Sequence, residues 1–189
     1  MFVLVENDSV TKTVNSNKGI TIGENQYPRA IFNSWSQAER EAIGIYEVVY
    51  DNSNKKNGGY YNNTDQSLDF AGGKVTASYG SATAKSLVDV TDEDNNITPG
   101  LKSNHKEKIK QQASSLLTLN DWYVIKATEV DSYSVPAEMT TYRAAVRTAS
   151  NDMEALIDAC STVDELAALY AYNNDKPPVR PLGEFPEEV

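Results

Sequence analysis

Arg143 and Arg147 stand four residues apart in the stretch TTYRAAVRTAS. On a helix that spacing stacks two guanidiniums on one face, with Tyr142 beside them. Guanidinium chemistry is carboxylate chemistry, because the planar fork of N–H donors matches a carboxylate. In an acidic chain the two arginines need acids, either their own, such as Asp121 or Glu129, or those of a partner. Just upstream, Trp122 and Tyr123 follow Asp121 in NDWYV, where they serve as core residues or as the aromatic anchors of an interface.

The other residue types that do chemistry are thinly supplied. The chain has one histidine, His105, so a His–His zinc pair is impossible and a histidine-dependent triad would rest on that residue alone. His105 sits in a charged helical stretch and reads as a surface residue. Cys160 is the one cysteine, which excludes an internal disulfide. It follows EALIDA on an apolar face, with no basic neighbour to activate a thiolate, and reads as a small buried hydrophobe. Asp92, Asp94 and Asn96 have the alternating spacing of a calcium loop, but Ile97 and Ser103 stand where that loop needs Gly and Glu. Glycine pairs in NGGYY and AGGK lack a phosphate cradle and read as turns. The carboxylates Asp65 and Asp69 could serve a hydrolase, yet no base or oxyanion feature accompanies them. No metal and no cofactor is therefore expected.

The chain has 189 residues, 17 basic against 27 acidic, for a net charge of −10. Acidity is uniform: 8 basic residues face 13 acidic ones up to Pro99, and 9 face 14 beyond it. No basic face awaits nucleic acid. The opening MFVLVENDSV is apolar for only a few residues before acids appear, so it reads as a strand rather than a leader or membrane anchor.

The elements that would position these residues change character along the chain. FVLVENDSVTKTV places two β-branched runs around Asn7–Asp8, a hairpin signal. Ser36 stands three residues before Glu39, a capping-box spacing, with Gly44 as the stop before the strand IYEVVY. Gly72–Gly73 predicts a second hairpin. TDEDNNITPGL has no apolar period and reads as an acidic linker. After it, Ile109, Ala113, Leu116 and Leu117 form one helical stripe. Pro136 predicts a helix start, with Glu138 in its first turn, and Thr162 with Glu165 forms another capping box. Prolines crowd the segment after Asp175, which is expected to be extended or mobile and outside the core. The predicted class is α+β: a small β-rich N-terminal module of hairpins and one short helix (1–98), a helical module (99–174) and a proline-rich extended tail (175–189).

LNDWYVIKATEVDSYSVPAEMTTYRAAVRTASND, followed by EALIDACSTVDELAAL, resembles the C-terminal region of bacteriophage tail fibre assembly chaperones and tail-assembly-chaperone-like proteins. The pattern is a helix, a D-W dipeptide, an acid, a proline and a Y-R-x-x-x-R helix. Here these stand as Asp121, Trp122, Glu129, Pro136, Tyr142, Arg143 and Arg147. YPRAIFNSWSQAEREAIGIYEVV is similar to the N-terminal module of such phage proteins, whereas KATEVDSYS is longer than the link of the enterobacterial members. The resemblance implies a non-enzymatic helper that binds the distal part of a trimeric tail fibre protein and assists its trimerisation. It implies partner contact through Trp122, Tyr123, Tyr142, Arg143 and Arg147, no nucleic acid or membrane, and residence in the host cytoplasm during phage assembly or on the virion tail. The competing reading, of a different class, is a permanent structural component of the virion tail or fibre tip that contacts the host surface.

Overall fold

The computed structural model describes residues 1–187, and the chain divides into two compact units, Met1–Thr83 and the residues from Ala84 onward. The architecture is α+β, with strands and two short helices first and four helices after them.

In the first unit, strands β1 (Phe2–Glu6) and β2 (Ser9–Val14) form the N-terminal hairpin. Asn7 and Asp8 turn it with φ of 50° and 58°, the left-handed pair that matches strand twist. A small hairpin follows, β3 (Ile20–Ile22) with β4 (Asn25–Tyr27). Two short helices, α1 (Ile31–Ser34) and α2 (Gln37–Glu41), lead to β5 (Ile45–Asp51). Only α2 was legible in the sequence, because α1 has no side-chain cap to announce it. The α2 capping box is formed: Ser36 Oγ accepts the Glu39 N–H at 3.3 Å and Glu39 Oε2 accepts the Ser36 N–H at 2.7 Å. That backbone N–H, more than any other group, holds the Glu39 carboxyl below its ordinary pKa. A depressed carboxyl contributes stability at neutral pH that is lost as pH falls through the lowered value. Strand β6 (Tyr61–Asn62) lies in the polar loop. Beyond it, β7 (Gln66–Ala71) and β8 (Lys74–Tyr79) pair across Gly72 and Gly73, whose φ values of 58° and 74° suit glycine. Strand β9 (Thr83–Ala84) stands at the division between the units.

The main sheet runs β2-β1-β5-β8-β7, and all its pairings are antiparallel except β5 with β8. Its outer strands β2 and β7 approach one another, so the sheet curls toward a barrel. Alternation along β1 sorts side chains between two apolar clusters. Val3 and Val5 pack with Val48, Val75 and Ala77 on one face. Phe2 and Leu4 pack with Ile20, Ile31, Phe32 and Ile45 on the other. The curled sheet thus has a core on each face, with α1 supplying Ile31 and Phe32 to the second.

The second unit opens with the hairpin β10 (Val90–Thr91) and β11 (Ile97–Thr98), where the sequence suggested an unstructured linker. Asp92 organises its turn: Oδ1 accepts the N–H groups of Asp94 and Asn96 at 2.9 and 2.8 Å, and Oδ2 accepts from Asn96 Nδ2 at 3.1 Å. Such a local acceptor satisfies the backbone without any apolar periodicity, which is why the pattern hid it. The hairpin delivers Gly100 so close to the Val88 backbone that a Cβ would collide with it. Asp89 Oδ1 then accepts the Gly100 N–H at 2.8 Å, capping the helix that follows.

Helix α3 (Leu101–Thr118) packs on the long α5 (Ala137–Ala159), with α4 (Asp121–Glu129) between them in sequence. The two run antiparallel, since Lys106 meets Asp158 at 2.8 Å and Lys110 meets Glu154 at 3.4 Å, while the far end of α3 lies against Arg143. The expected stripe holds: Ile109 and Ala113 are buried, and Leu116 and Leu117 pack on Met139, Tyr142 and Val146. Last comes α6 (Val163–Ala168), whose capping box forms as its sequence indicates. Thr162 Oγ1 accepts the Glu165 N–H at 3.1 Å and Glu165 Oε2 accepts the Thr162 N–H at 3.3 Å. Thr162→Ala is expected to lower the stability of this unit by about 1 kcal/mol, the usual worth of an N-cap, read as a denaturant midpoint shift. Thr162→Ser should retain most of it.

The proline-rich segment contains no helix or strand among its described residues, and Glu188 and Val189 of the 175–189 tail lie outside those described. It does contribute to the core, contrary to the sequence expectation. Leu182 is 2% exposed, its N–H donates to the Leu169 carbonyl at 3.0 Å, and Phe185 packs beside Leu116 and Tyr142. An isolated leucine among prolines has no period to reveal this.

Candidate functional site

Helix α5 carries a core stripe through Met139, Val146, Met153 and Ile157, and Arg143 and Ser150 occupy the intervening positions of the same stripe. The rotation of the helix therefore separates the two arginines. Arg143 is buried with its side chain 9% exposed, whereas Arg147, one step round the helix, is exposed.

Arg143 works as a clamp. One guanidinium nitrogen donates to the Leu117 carbonyl at 2.8 Å, near the end of α3, and the other donates to Asp121 Oδ1 at 2.7 Å, at the start of α4. Three helices converge on one side chain. The Leu117 carbonyl is one of the last in α3 and accepts the Asn120 N–H at 3.1 Å, so the guanidinium adds a further donor to a carbonyl at the helix end. Of the two acids considered in the sequence, Asp121 is the one engaged; Glu129 is exposed at the other end of α4. Tyr142 is 4% exposed and belongs to the core beside Ala113, Met139 and Val146. Asn120, unsuspected from sequence, is also buried and donates from Nδ2 to the Leu116 carbonyl at 3.3 Å.

The aromatic pair divides in the same way. Tyr123 packs against the α3–α5 core, while Trp122 is 50% exposed and stacks on Tyr123 with ring centroids 3.9 Å apart. Lys126 Nζ lies 5.7 Å from the Trp122 ring centroid and 4.3 Å from that of Tyr133. This holds the outward face of α4 in place. The helix and its ends are apolar outside: Leu119, Trp122, Val124, Ile125 and Val130 are between 40% and 62% exposed. Nine residues of helix bury none of their side chains fully, which is unusual for a segment so rich in β-branched and aromatic residues. A separate helix here was not expected, because DWYVIKAT has strand-like composition and Asn120 makes no side-chain cap.

Beside this face, between α3 and α5, runs an open groove of about 480 Å³ lined by Lys110, Ser114, Thr118, Asp121, Arg147 and Asn151, among others. Arg147 donates to the Arg143 carbonyl at 3.3 Å, and no carboxylate among the described residues lies within ion-pair distance of it.

The remaining candidates take structural positions. His105 packs its ring 4.7 Å from that of Tyr170, and burial, then the charge of Lys108, lowers its pKa. Cys160 is buried, and burial followed by the charge of Glu165 pushes its thiol up, the opposite of activation. Asp92 is committed to its turn, with Asn96 foremost in holding its carboxyl low. Asp65 and Asp69 are exposed. Among the described residues no group of three or more His, Cys, Asp or Glu side chains could hold a metal ion, and no helix is long and apolar enough to cross a membrane. Compared with family models, curated proteins and solved structures, the chain matches none.

Proposed function

We propose that this chain is a tail fibre assembly chaperone-like protein, which binds the distal part of a phage fibre protein and assists its folding and trimerisation without catalysing a reaction. The observation that carries the reading is the apolar surface of α4 and its ends, where Trp122, Val124 and Ile125 on the helix and Leu119 and Val130 flanking it are solvent-exposed. Apolar surface of this kind is costly in water and marks a place where another chain is received. A chaperone of a trimerising fibre must cover apolar segments before their own partners arrive, and a rigid helix carrying an aromatic anchor suits that task. The D-W, proline and Y-R-x-x-x-R order of the sequence points to the same class. The burial of Tyr142 and Arg143 gives them a part in holding α4 in place, and contact falls to Trp122 and its neighbours, with Arg147 at the edge.

Co-expression with the distal segment of the fibre protein tests this. Wild-type protein is expected to raise the yield of soluble fibre trimer, and Ile125→Asp, which places a charge on the exposed face, is expected to abolish the gain while leaving the denaturation midpoint within about 0.5 kcal/mol of wild type. A fibre that is equally soluble with and without the protein would overturn the proposal. Mass spectrometry of purified virions separates a transient helper from a permanent tail component.

A further inference from the structure

Cross-helix pairs run along the α3–α5 seam in sequence steps of about one turn. Lys102 donates to the Asp158 carbonyl, Lys106 pairs with the Asp158 carboxylate, and Lys110 pairs with Glu154. At the far end Arg143 pairs with Asp121. Between these two stands Arg147, lining the groove with Asn151, and α3 contributes Ser114 and Thr118 to the same groove rather than an acid. The seam therefore has one rung with a cation and no anion, in a chain whose net charge is −10. An exposed guanidinium, an amide and a hydroxyl lining one groove make a donor set for a carboxylate.

We propose that this open rung binds a carboxylate brought by a protein partner, an acidic side chain within an otherwise apolar segment, and that the segment continues across the outward face of α4. The groove reaches Asp121, and Ile125 lies one turn beyond it on the same side of α4, so the two features adjoin. The charge selects the partner, since a segment with a basic residue at this point would meet Arg147 with like charge. The apolar face alone would take any greasy helix or strand; the rung adds register. The inference rests on the binding role proposed above and adds the chemistry of the occupant.

The decisive variant is Ser114→Asp, which supplies the missing acid from within. It is expected to fill the rung and exclude the partner's carboxylate while leaving the fold as stable as wild type or slightly more so. Peptides selected from a random displayed library on the wild-type protein are the probe. Enrichment of Asp or Glu flanked by aromatic or aliphatic residues is expected. Binding of those peptides should fall by about tenfold or more with either Arg147→Ala or Ser114→Asp, the loss of one charge-assisted contact. Selection of basic or uncharged peptides, no selection at all, or acidic binders indifferent to both variants overturns the inference. Fibre co-expression with the same two variants keeps the two proposals apart. Solubilisation that is lost with Ile125→Asp but unchanged with Arg147→Ala and Ser114→Asp leaves the chaperone reading standing and removes the carboxylate; peptide binding without any effect on the fibre does the reverse.

Discussion

Arg143→Ala is expected to destabilise the helical unit by about 3 kcal/mol, whereas Arg147→Ala should shift it by no more than about 0.5 kcal/mol. The two residues look alike in sequence and differ only in which way α5 turns them. Removing the Arg143 guanidinium breaks the pair with Asp121, leaves the Leu117 carbonyl with the Asn120 N–H but without the donor at 2.8 Å, and opens a space inside the junction of three helices. A buried pair broken on one side costs about 3 to 5 kcal/mol. The low end applies, because the Asp121 side chain is 50% exposed and regains water when its partner leaves. Conservative replacement does not rescue it: Arg143→Lys has one point charge and no planar fork, so it keeps the contact to Asp121 or to Leu117 and not both. Denaturant unfolding followed by Trp122 fluorescence, in a Trp35→Phe background that silences the first unit, measures the transition. Equal midpoints for Arg143→Ala and Arg147→Ala would contradict the clamp.

That contrast also shows what the sequence can and cannot display. Both hairpins, both capping boxes and the α3 stripe rest on residues within a few positions of one another, and local chemistry decides them. Asn7–Asp8, Gly72–Gly73, Ser36 with Glu39 and Thr162 with Glu165 each satisfy nearby backbone groups whatever the remainder of the chain does. The parallel pairing of β5 with β8 and the curl that brings β2 to β7 depend on distant segments, and nothing local specifies them. Helix α4 is the clearest case of tertiary context overriding composition. Val, Ile, Tyr, Trp and Thr within nine residues favour a strand, yet the clamp on Asp121 and the packing of Tyr123 hold a helix. For the site, one signal was present and passed unread. Positions 139, 143, 146, 150, 153 and 157 keep the alternating four-and-three spacing of a core seam, so Arg143 stands at a core position and Arg147 does not.

The tail supplies the other large effect. Leu182→Ala is expected to lower the stability of the helical unit by about 3 kcal/mol, within the range for a leucine truncated to a methyl group in a closed site. At 2% exposure Leu182 is as enclosed as residues of the helix seam such as Met153. Its backbone is fastened by the bond to the Leu169 carbonyl, so the neighbourhood cannot simply close over the gap. Arg180 reinforces the turn by pairing with Glu184 at 2.8 Å and donating to the Gly183 carbonyl at 3.1 Å. Val179→Ala, three residues earlier and 49% exposed, is the control and should move the midpoint by less than about 0.5 kcal/mol. A segment that merely trails from the domain would give the same small shift for both substitutions, and that result would remove the tail from the core. A large shift for Leu182→Ala alone would establish that the prolines constrain an extended strap against α6. Truncation before residue 175 would then uncover the part of the α3–α5 core against which Phe185 packs, so a shortened chain should aggregate through its core rather than through α4.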